Sequence, residues 1–296
     1  QNQQTHNSFF YKLINFIQQP VYADPPSHIQ SITINITAAD FSPITRTYTP
    51  PYGIFRIEVP SGIQRAIEVL ASTPSATIRG FVIVDLKPGE QTVDIAMHLY
   101  STKILIPDYN SHRLVQIDDM TGSGFRDING GTISFPGGTI YPYDVDFDDI
   151  GRIYIANYGF STGEDVVIRL DDIEDTTYTS LGTGSSNGIR SVAVDRENKL
   201  VYYATSIQLY RCDLDGSNLK SDYTMTDISF IKSIAYHNSF LYIACTYDSN
   251  YRIVKYDTTA NGQIAGYSLA SLHSAWDVII KNDLCIVADD DESTSN

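Results

Sequence analysis

The feature that most constrains the fold of this chain is a repeat with a period of 40 to 49 residues. Five short apolar runs align on a proline or an alanine, with spacings of 49, 48, 40 and 44 residues. A fixed period of this length is typical of architectures in which each copy is one supersecondary unit, stacked on its neighbours or arranged around an axis. The polar loop that follows the first run is therefore one copy of a repeated connection between strands. The aligned positions are Pro107, Ala156, Ala204, Ala244 and Ala288.

Two further apolar runs accompany the aligned ones. A preceding run reads DVDFD, SVAVD, SIAYH or DVIIK, with a weaker version, VDIAM, ahead of the first copy. A following run reads RLVQID, VVIRLD, QLYRCD or RIVKYD after the first four copies. These runs lack the 3.6-residue period of a helix, and polar turn residues separate them. Each repeat is thus predicted to form three or four short strands, as one blade of a propeller does.

Two segments resemble known propeller families. DYNSHRLVQID resembles the pattern that names the NHL repeat, here with Asn110, His112 and Leu114, and residues 200–218 are similar to the related YWTD-type repeats. This resemblance covers residues 103–296 and implies a β-propeller with five visible repeats, the last of them incomplete. It also implies six blades in the full protein. Such propellers include scaffolds, receptors and unrelated enzymes, so the resemblance alone does not define an activity.

The segment before the repeats has a different apolar pattern. ITINIT and FRIEV alternate apolar and polar residues, and AIEVL, FVIVDL and TVDIAM supply further strands. A small β-sandwich fits this pattern. VPSGIQRAIEVL, residues 59–70, resembles a strand pair of immunoglobulin-like modules in bacterial surface proteins. We therefore predict an all-β protein with a flexible tether at 1–27, an immunoglobulin-like β-sandwich at 28–100 and an NHL-like β-propeller at 101–296.

The first residues of the sequence favour an exported protein. The sequence starts with Gln1, without an initiator Met, and no apolar run reaches the roughly 20 residues of a membrane-spanning helix. A secretory signal that has been removed, with a lipid anchor just upstream, accounts for both observations. We expect a protein of the periplasm or cell surface that contacts a membrane only through such an anchor.

Charge and cysteine content disfavour two kinds of site. The formal net charge is −15, from 35 acidic and 20 basic residues. The chain lacks the clustered Lys and Arg that release counterions from a phosphate backbone, so we expect no nucleic-acid partner. Cys212, Cys245 and Cys285 fall in predicted strands without paired spacing, so buried thiols are expected rather than disulfides or a zinc site.

The loops of the predicted propeller define a candidate binding face. In this fold the loops that lead into the innermost strands gather with the loops between the second and third strands. Several of these loops carry tyrosine or the single tryptophan, and aromatic faces with few charges suit peptides or sugars. We therefore predict that this face binds a protein or a glycan. Two alternatives stay open: the polar residues of the first loop serve only to form its turn, and the tryptophan packs between blades. The predicted face comprises Asp108, Tyr109, Tyr143, Asn157, Tyr158, Arg190, Tyr247 and Trp276.

Two aligned carboxylates suggest a second kind of site. Asp144 and Asp277 begin corresponding innermost strands, so both are expected near the mouth of the central channel. There they can hold a divalent cation such as calcium, with Asn157 and Asp108 adding oxygen ligands, as in metal-dependent propeller hydrolases of the lactonase type. The aligned positions in the two intervening repeats are serines, and no Glu occupies an aligned position. The sequence therefore leaves two alternatives open: the protein has no cofactor, or it binds one divalent cation.

The sequence predicts no catalytic residue. GTGSSNG, residues 182–188, lacks the spacing of a nucleophile elbow and the GK of a phosphate loop. A binding or scaffold protein is therefore favoured, and a metal-dependent propeller hydrolase or lyase is the alternative.

Pairs of acidic residues recur at strand ends. Asp and Asn side chains bond to nearby backbone in turns, so we interpret these pairs as solvated turns, with calcium binding as the alternative. The pairs are Asp118 with Asp119, Asp148 with Asp149, and Asp171 with Asp172.

Overall fold

The structure, a computed structural model, consists of strands and turns throughout its described part, which confirms the all-β prediction. The chain divides into two compact units, Gln1–Thr102 with Asp149–Gly151, and Lys103–Asp148 with Arg152–Asn296. The predicted tether lies outside the described residues apart from Phe10–Lys12. No segment within the described ranges forms a helix with the length and apolar character of a membrane span. The described residues are 10–12, 29–51, 54–74, 76–118, 120–128, 140–159, 165–173, 175, 177–183, 188–223, 228–247, 250–259, 262–267, 274–281 and 284–289.

The first unit contains seven described strands. They are β1 Phe10–Lys12, β2 Ser31–Ala38, β3 Phe41–Tyr48, β4 Glu58–Pro60, β5 Gly62–Ser72, β6 Ala76–Leu86 and β7 Met97–Thr102. Five of them form one antiparallel sheet in the order β3-β2-β5-β6-β7, while β1 pairs with β4. Alternate residues of β2 and β5 are buried, because successive side chains of a strand point to opposite faces of the sheet. Ile34 and Ile67 therefore lie in the core of this unit.

The second unit contains five described antiparallel sheets, which follow one another along the chain. The first sheet has three strands, the next three have four each, and the last has two. Within every sheet the spatial order of the strands follows the sequence, as short turns between antiparallel neighbours require. The strands are β8 Ile104–Asp108, β9 Arg113–Ile117 and β10 Arg126–Asp127; β11 Pro142–Phe147, β12 Ile153–Asn157, β13 Val166–Leu170 and β14 Thr179–Thr183; β15 Ser191–Asp195, β16 Leu200–Ala204, β17 Leu209–Asp213 and β18 Lys220–Tyr223; β19 Ile228–His237, β20 Phe240–Tyr247, β21 Asn250–Asp257 and β22 Gly262–Tyr267; and β23 Ala275–Lys281 and β24 Leu284–Asp289.

The sheets are arranged as propeller blades. The first strands of successive sheets lie side by side, with β11 beside β15, β15 beside β19, and β19 beside β23. β8 also lies beside β11, although the sequence repeat aligns β8 with the second strands of the later sheets. The five aligned runs of the sequence repeat fall in β8, β12, β16, β20 and β24, so each copy of the repeat corresponds to one sheet.

Burial explains why the repeats read as continuous apolar runs. All five residues of Ile153–Asn157 and of Ser191–Asp195 are buried. Side chains of Ile153–Asn157 enter two different cores. Ile153 belongs to a core that includes Leu105 and Leu114 of the preceding sheet, and Tyr154 packs with residues of the next sheet. A strand covered on both faces has no solvent-facing set of residues, and the two-residue alternation of the first unit is therefore absent.

Two expectations about polar and sulfur groups are wrong. Asp148 and Asp172 are fully buried rather than solvated. Asp148 is buried because it accepts hydrogen bonds from the backbone and guanidinium of Arg152 and from the Tyr154 hydroxyl. Cys285 is exposed, because β24 is the outer strand of the two-stranded sheet. Cys212 and Cys245 are buried as expected, and burial raises the pKa of both thiols to about 12.

Candidate functional site

Four tyrosine rings meet where the first two blades adjoin. Tyr109 lies in the turn between β8 and β9, and its ring centroid is 6.1, 5.4 and 5.9 Å from those of Tyr141, Tyr143 and Tyr158 respectively. The Tyr143 and Tyr158 centroids are 6.0 Å apart. The rings are tilted or edge-on to one another, as the aromatic quadrupole favours. Burial, followed by the neighbouring Tyr158 hydroxyl, raises the pKa of Tyr109, so this phenol is neutral.

Arg190 extends this cluster to the third and fourth blades. Its guanidinium carbon lies 5.3 Å from the Tyr143 centroid, 5.1 Å from that of Tyr158 and 4.5 Å from that of Phe230. Its Nη1 donates to the Tyr143 hydroxyl over 3.1 Å, and its Nε donates to Ser206 Oγ over 3.0 Å. The planar guanidinium is thus both stacked and hydrogen-bonded, which fixes its orientation.

Lys232 and Trp276 continue the cluster to the last described blade. Lys232 Nζ lies 4.6 Å from the Phe230 centroid and 3.6 Å from that of Trp276. Trp276 remains 43% exposed. We call the whole set the aromatic arc, and all of its members belong to the second unit. The arc comprises Tyr109, Tyr141, Tyr143, Tyr158, Arg190, Phe230, Lys232 and Trp276.

Gly188 makes room for one ring of the aromatic arc. A Cβ at this position would lie 2.0 Å from Tyr158 Cε2, and the φ of Gly188 is +66°. Both the space and the left-handed backbone require glycine here. The sequence letters GIR before β15 therefore provide a glycine that admits the tyrosine and, two residues later, the arginine that stacks on it.

Replacing Gly188 with alanine is expected to lower the free energy of unfolding by about 2 to 4 kcal/mol, from left-handed strain and overpacking together. Urea unfolding of the purified chain measures this loss, and near-ultraviolet circular dichroism follows the displaced tyrosine. Gly122→Ala is the matched control, since Gly122 also has a left-handed φ of +81° but nothing lies within 4 Å of its added Cβ. Equal losses in the two variants would contradict the packing role of Gly188.

Other residues of the predicted face stabilise the loops rather than belong to the arc. Asp108 accepts the backbone N–H of Ser111 and the Nε of Arg113. Hydrogen bonding with the Ser111 side chain, followed by that with Arg113, lowers the pKa of Asp108. Asn157 is buried, and its side-chain oxygen accepts the backbone N–H of Tyr141 over 2.7 Å. Turn chemistry therefore accounts for the geometry around Asp108. The side chain of Tyr247, at the end of β20, lies outside the described part of the chain.

The two aligned carboxylates link neighbouring innermost strands. Asp144 Oδ2 accepts the hydroxyl of Ser191 over 2.5 Å, and Asp277 Oδ1 accepts the hydroxyl of Ser233 over 2.5 Å. Burial raises the pKa of Asp144 to about 7, and the charge of Asp277 contributes in the same direction. Among the residues that the structure describes, no three His, Cys, Asp or Glu side chains are grouped so as to hold a metal ion.

Three members of the arc, Tyr141, Phe230 and Lys232, are absent from the face predicted from the sequence. Tyr141 stands two residues before Tyr143, a spacing that puts side chains on one face of an extended segment, so it was detectable. Phe230 was missed because β19 begins at Ile228, five residues before the aligned Ser233. An alignment based on the apolar core of the repeats does not show where a strand extends beyond that core.

Comparisons with known proteins give only distant structural likenesses. No protein-family model matches the chain, and no curated protein matches it. A chain in the crystal structure of a nidogen/laminin complex aligns with a TM-score of 0.44 and 8% identity, covering 81% of this chain and 94% of that one. Glutaminyl cyclase from Myxococcus xanthus aligns with a TM-score of 0.36 and 12% identity, covering 50% of this chain and 61% of that one. With both TM-scores below 0.5, neither likeness indicates what this chain binds or catalyses.

Proposed function

We propose that this chain is an exported binding protein and that the aromatic arc is the face that holds its protein or glycan partner. The observation that carries the proposal is the continuity of the arc, to which all five described blades contribute rings or cations that touch one another. The contacts lead from blade to blade, from Tyr109 to Trp276, and within the fourth blade Phe230 contacts Lys232. A partner placed there would contact several blades at once.

The chemistry of the arc suits recognition. Tyrosine and tryptophan offer apolar rings with a polar end, and they dominate the energetics of many interfaces together with arginine. Trp276 leaves 43% of its surface exposed, so burying it under a partner removes apolar area from water. Arg190 is held by Tyr143 and Ser206, and this preorganisation lowers the entropy lost on binding.

The geometry favours binding over metal-dependent hydrolysis. A cation between Asp144 and Asp277 would compete with hydrogen bonds that these carboxylates accept from serine hydroxyls and from backbone N–H groups. The bonds from Ser191, Val192 and Ser233 connect adjacent blades, so their loss would weaken contacts between the innermost strands. The hydrogen bonds of Asp144 and Asp277 therefore account for both residues as structural contacts, without a bound cation.

Changing Trp276 or Tyr109 to alanine is expected to weaken partner binding by at least tenfold, since truncated aromatic anchors typically lose about 2 kcal/mol or more. The partner is first sought by affinity capture and on a glycan array, and affinities are then measured by calorimetry. Phe125→Ala is the control, because Phe125 is an exposed ring of the same unit outside the arc, 61% accessible to solvent. A partner that binds both arc variants as tightly as the unaltered chain would show that the binding face lies elsewhere.

A further inference from the structure

Among the described residues, none is an acidic partner of the two cations of the aromatic arc, although the protein is strongly acidic. The chain has a net charge of −15, yet no carboxylate lies within ion-pair distance of Arg190 or Lys232 in the part of the chain that the structure describes. Carboxylates do pair with other arginines of the chain. These include Arg65 with Asp40, Arg79 with Glu68, Arg113 with Asp108, Arg152 with Asp148, Arg169 with Asp171 and Arg196 with Asp146.

The two cations also lie close together. Both are placed over Phe230, at 4.5 Å for the Arg190 guanidinium and 4.6 Å for the Lys232 ammonium. Burial, followed by the charge of Arg190, lowers the pKa of Lys232. Each positive charge therefore raises the electrostatic cost of the other, and an anion between or beside them would remove that cost.

From this arrangement we infer that the ligand of the aromatic arc is an acidic glycan, whose sugar rings lie on the exposed aromatic surfaces and whose carboxylates pair with Arg190 and Lys232. The inference rests on the proposed function, because it assigns a chemical class to the same face. The rings supply apolar surface for the sugar, and the cations supply charge-assisted hydrogen bonds to the carboxylate. Trp276 is partly exposed and lies against Lys232. The pair therefore offers an aromatic surface for a sugar ring and a positive charge for a carboxylate side by side.

The backbone of the arc favours a glycan over an extended acidic peptide. A peptide that adds to a surface gains much of its affinity from main-chain hydrogen bonds. At this face three backbone N–H groups already donate within the fold: Tyr158 to Tyr141 O, Arg190 to Ala204 O, and Ile231 to Ser206 O. These three groups therefore do not offer hydrogen bonds to a peptide backbone, which favours recognition through side chains, as for sugars bound by rings and charges.

The test uses oligogalacturonates and oligomannuronates of defined length, measured by calorimetry at low and high salt. Methyl-esterified oligogalacturonate has the same rings without the charge, and poly-glutamate has the charge without the rings. At least one acidic oligosaccharide is expected to bind, with affinity at least tenfold above its methyl ester and falling with salt. Poly-glutamate is expected to bind at least tenfold more weakly.

Lys232→Met and Arg190→Met are expected to weaken acidic-glycan binding by tenfold or more and to reduce its salt dependence. The matched control is Lys255→Met, because Lys255 also lies over two rings, 3.8 Å from the Phe240 centroid and 5.5 Å from that of Tyr242, outside the arc. Thermal melts of all three variants identify any that fail to fold, and a Lys232→Arg variant, which keeps the charge, is expected to retain binding.

The other outcomes overturn the inference in distinguishable ways. In one outcome a neutral glycan or an uncharged protein surface binds the arc, and its binding is lost in Trp276→Ala but unaffected by Lys232→Met. This result would refute the acidic class of ligand but leave the proposed function intact. Poly-glutamate binding as tightly as the uronates would replace the glycan with an acidic peptide. If none of these probes binds and no captured partner depends on Trp276, both the inference and the proposed function are wrong.

Discussion

Replacing Asp148 with asparagine is expected to lower the free energy of unfolding by about 3 to 5 kcal/mol, since it leaves a buried guanidinium without its counter-charge. Asp148 and Arg152 are both buried, and Arg152 Nε lies 2.5 Å from Asp148 Oδ2. The Tyr154 hydroxyl donates to the same oxygen over 3.2 Å. Urea unfolding followed by circular dichroism measures the loss.

Two further variants separate the charge effect from a general weakness of the turn. In Asp148→Asn combined with Arg152→Met the unpaired charge is gone, so part of the lost stability is expected to return. Asp118→Asn breaks the exposed ion pair with Lys103, 2.8 Å long, and should cost at most about 1 kcal/mol. If Asp148→Asn proves no more damaging than Asp118→Asn, the buried pair is not a major source of stability.

The sequence predicted the blades well because their strands are buried on both faces. Each aligned run became a strand in its own sheet, including Ala156 in β12 and Ala204 in β16. Apolar runs of this kind are insensitive to register, since either face of the strand meets a core. The resemblances to NHL repeats and to immunoglobulin-like modules remain predictions.

Buried charge is what the sequence pattern could not reveal. Asp148 directly follows the innermost strand β11 and precedes a turn, so its residue type and place both indicated exposure to solvent. Its burial depends on Arg152, four residues later, folding back to meet it. A pattern of apolar residues treats each polar position separately and carries no information about such a pair.

Part of the aromatic arc could be predicted from the positions of the loops. Loop position alone identified Tyr109, Tyr158, Arg190 and Trp276, because the propeller repeat places those loops together. It could not show that Asp108 is engaged by its own turn. Nor could it show that Phe230 bridges the two cations, since contacts between blades depend on how neighbouring sheets are placed.

Stability is expected to fall by about 1 kcal/mol per pH unit from pH 5 to pH 7 through Asp144, and to level off above pH 8. Burial raises the pKa of this carboxyl from 3.8 to about 7 in the folded chain. Between those values the folded state holds a proton that the unfolded state has released. The contribution is therefore fully present below the unfolded pKa and is lost as pH rises through the folded one.

The Asp144→Asn variant isolates this contribution. Asparagine cannot ionise, so the free energy of unfolding of the unaltered chain should decline relative to that of the variant as pH rises from 5 to 7. Burial raises the pKa of Asp146 as well, but Asp146 is present in both proteins and drops out of the difference. If the free energies of unfolding of the unaltered chain and of Asp144→Asn change in parallel with pH, Asp144 is ionised throughout this range. Its three hydrogen bonds from Ser191, Val192 and Val145 would then outweigh the effect of burial on its pKa.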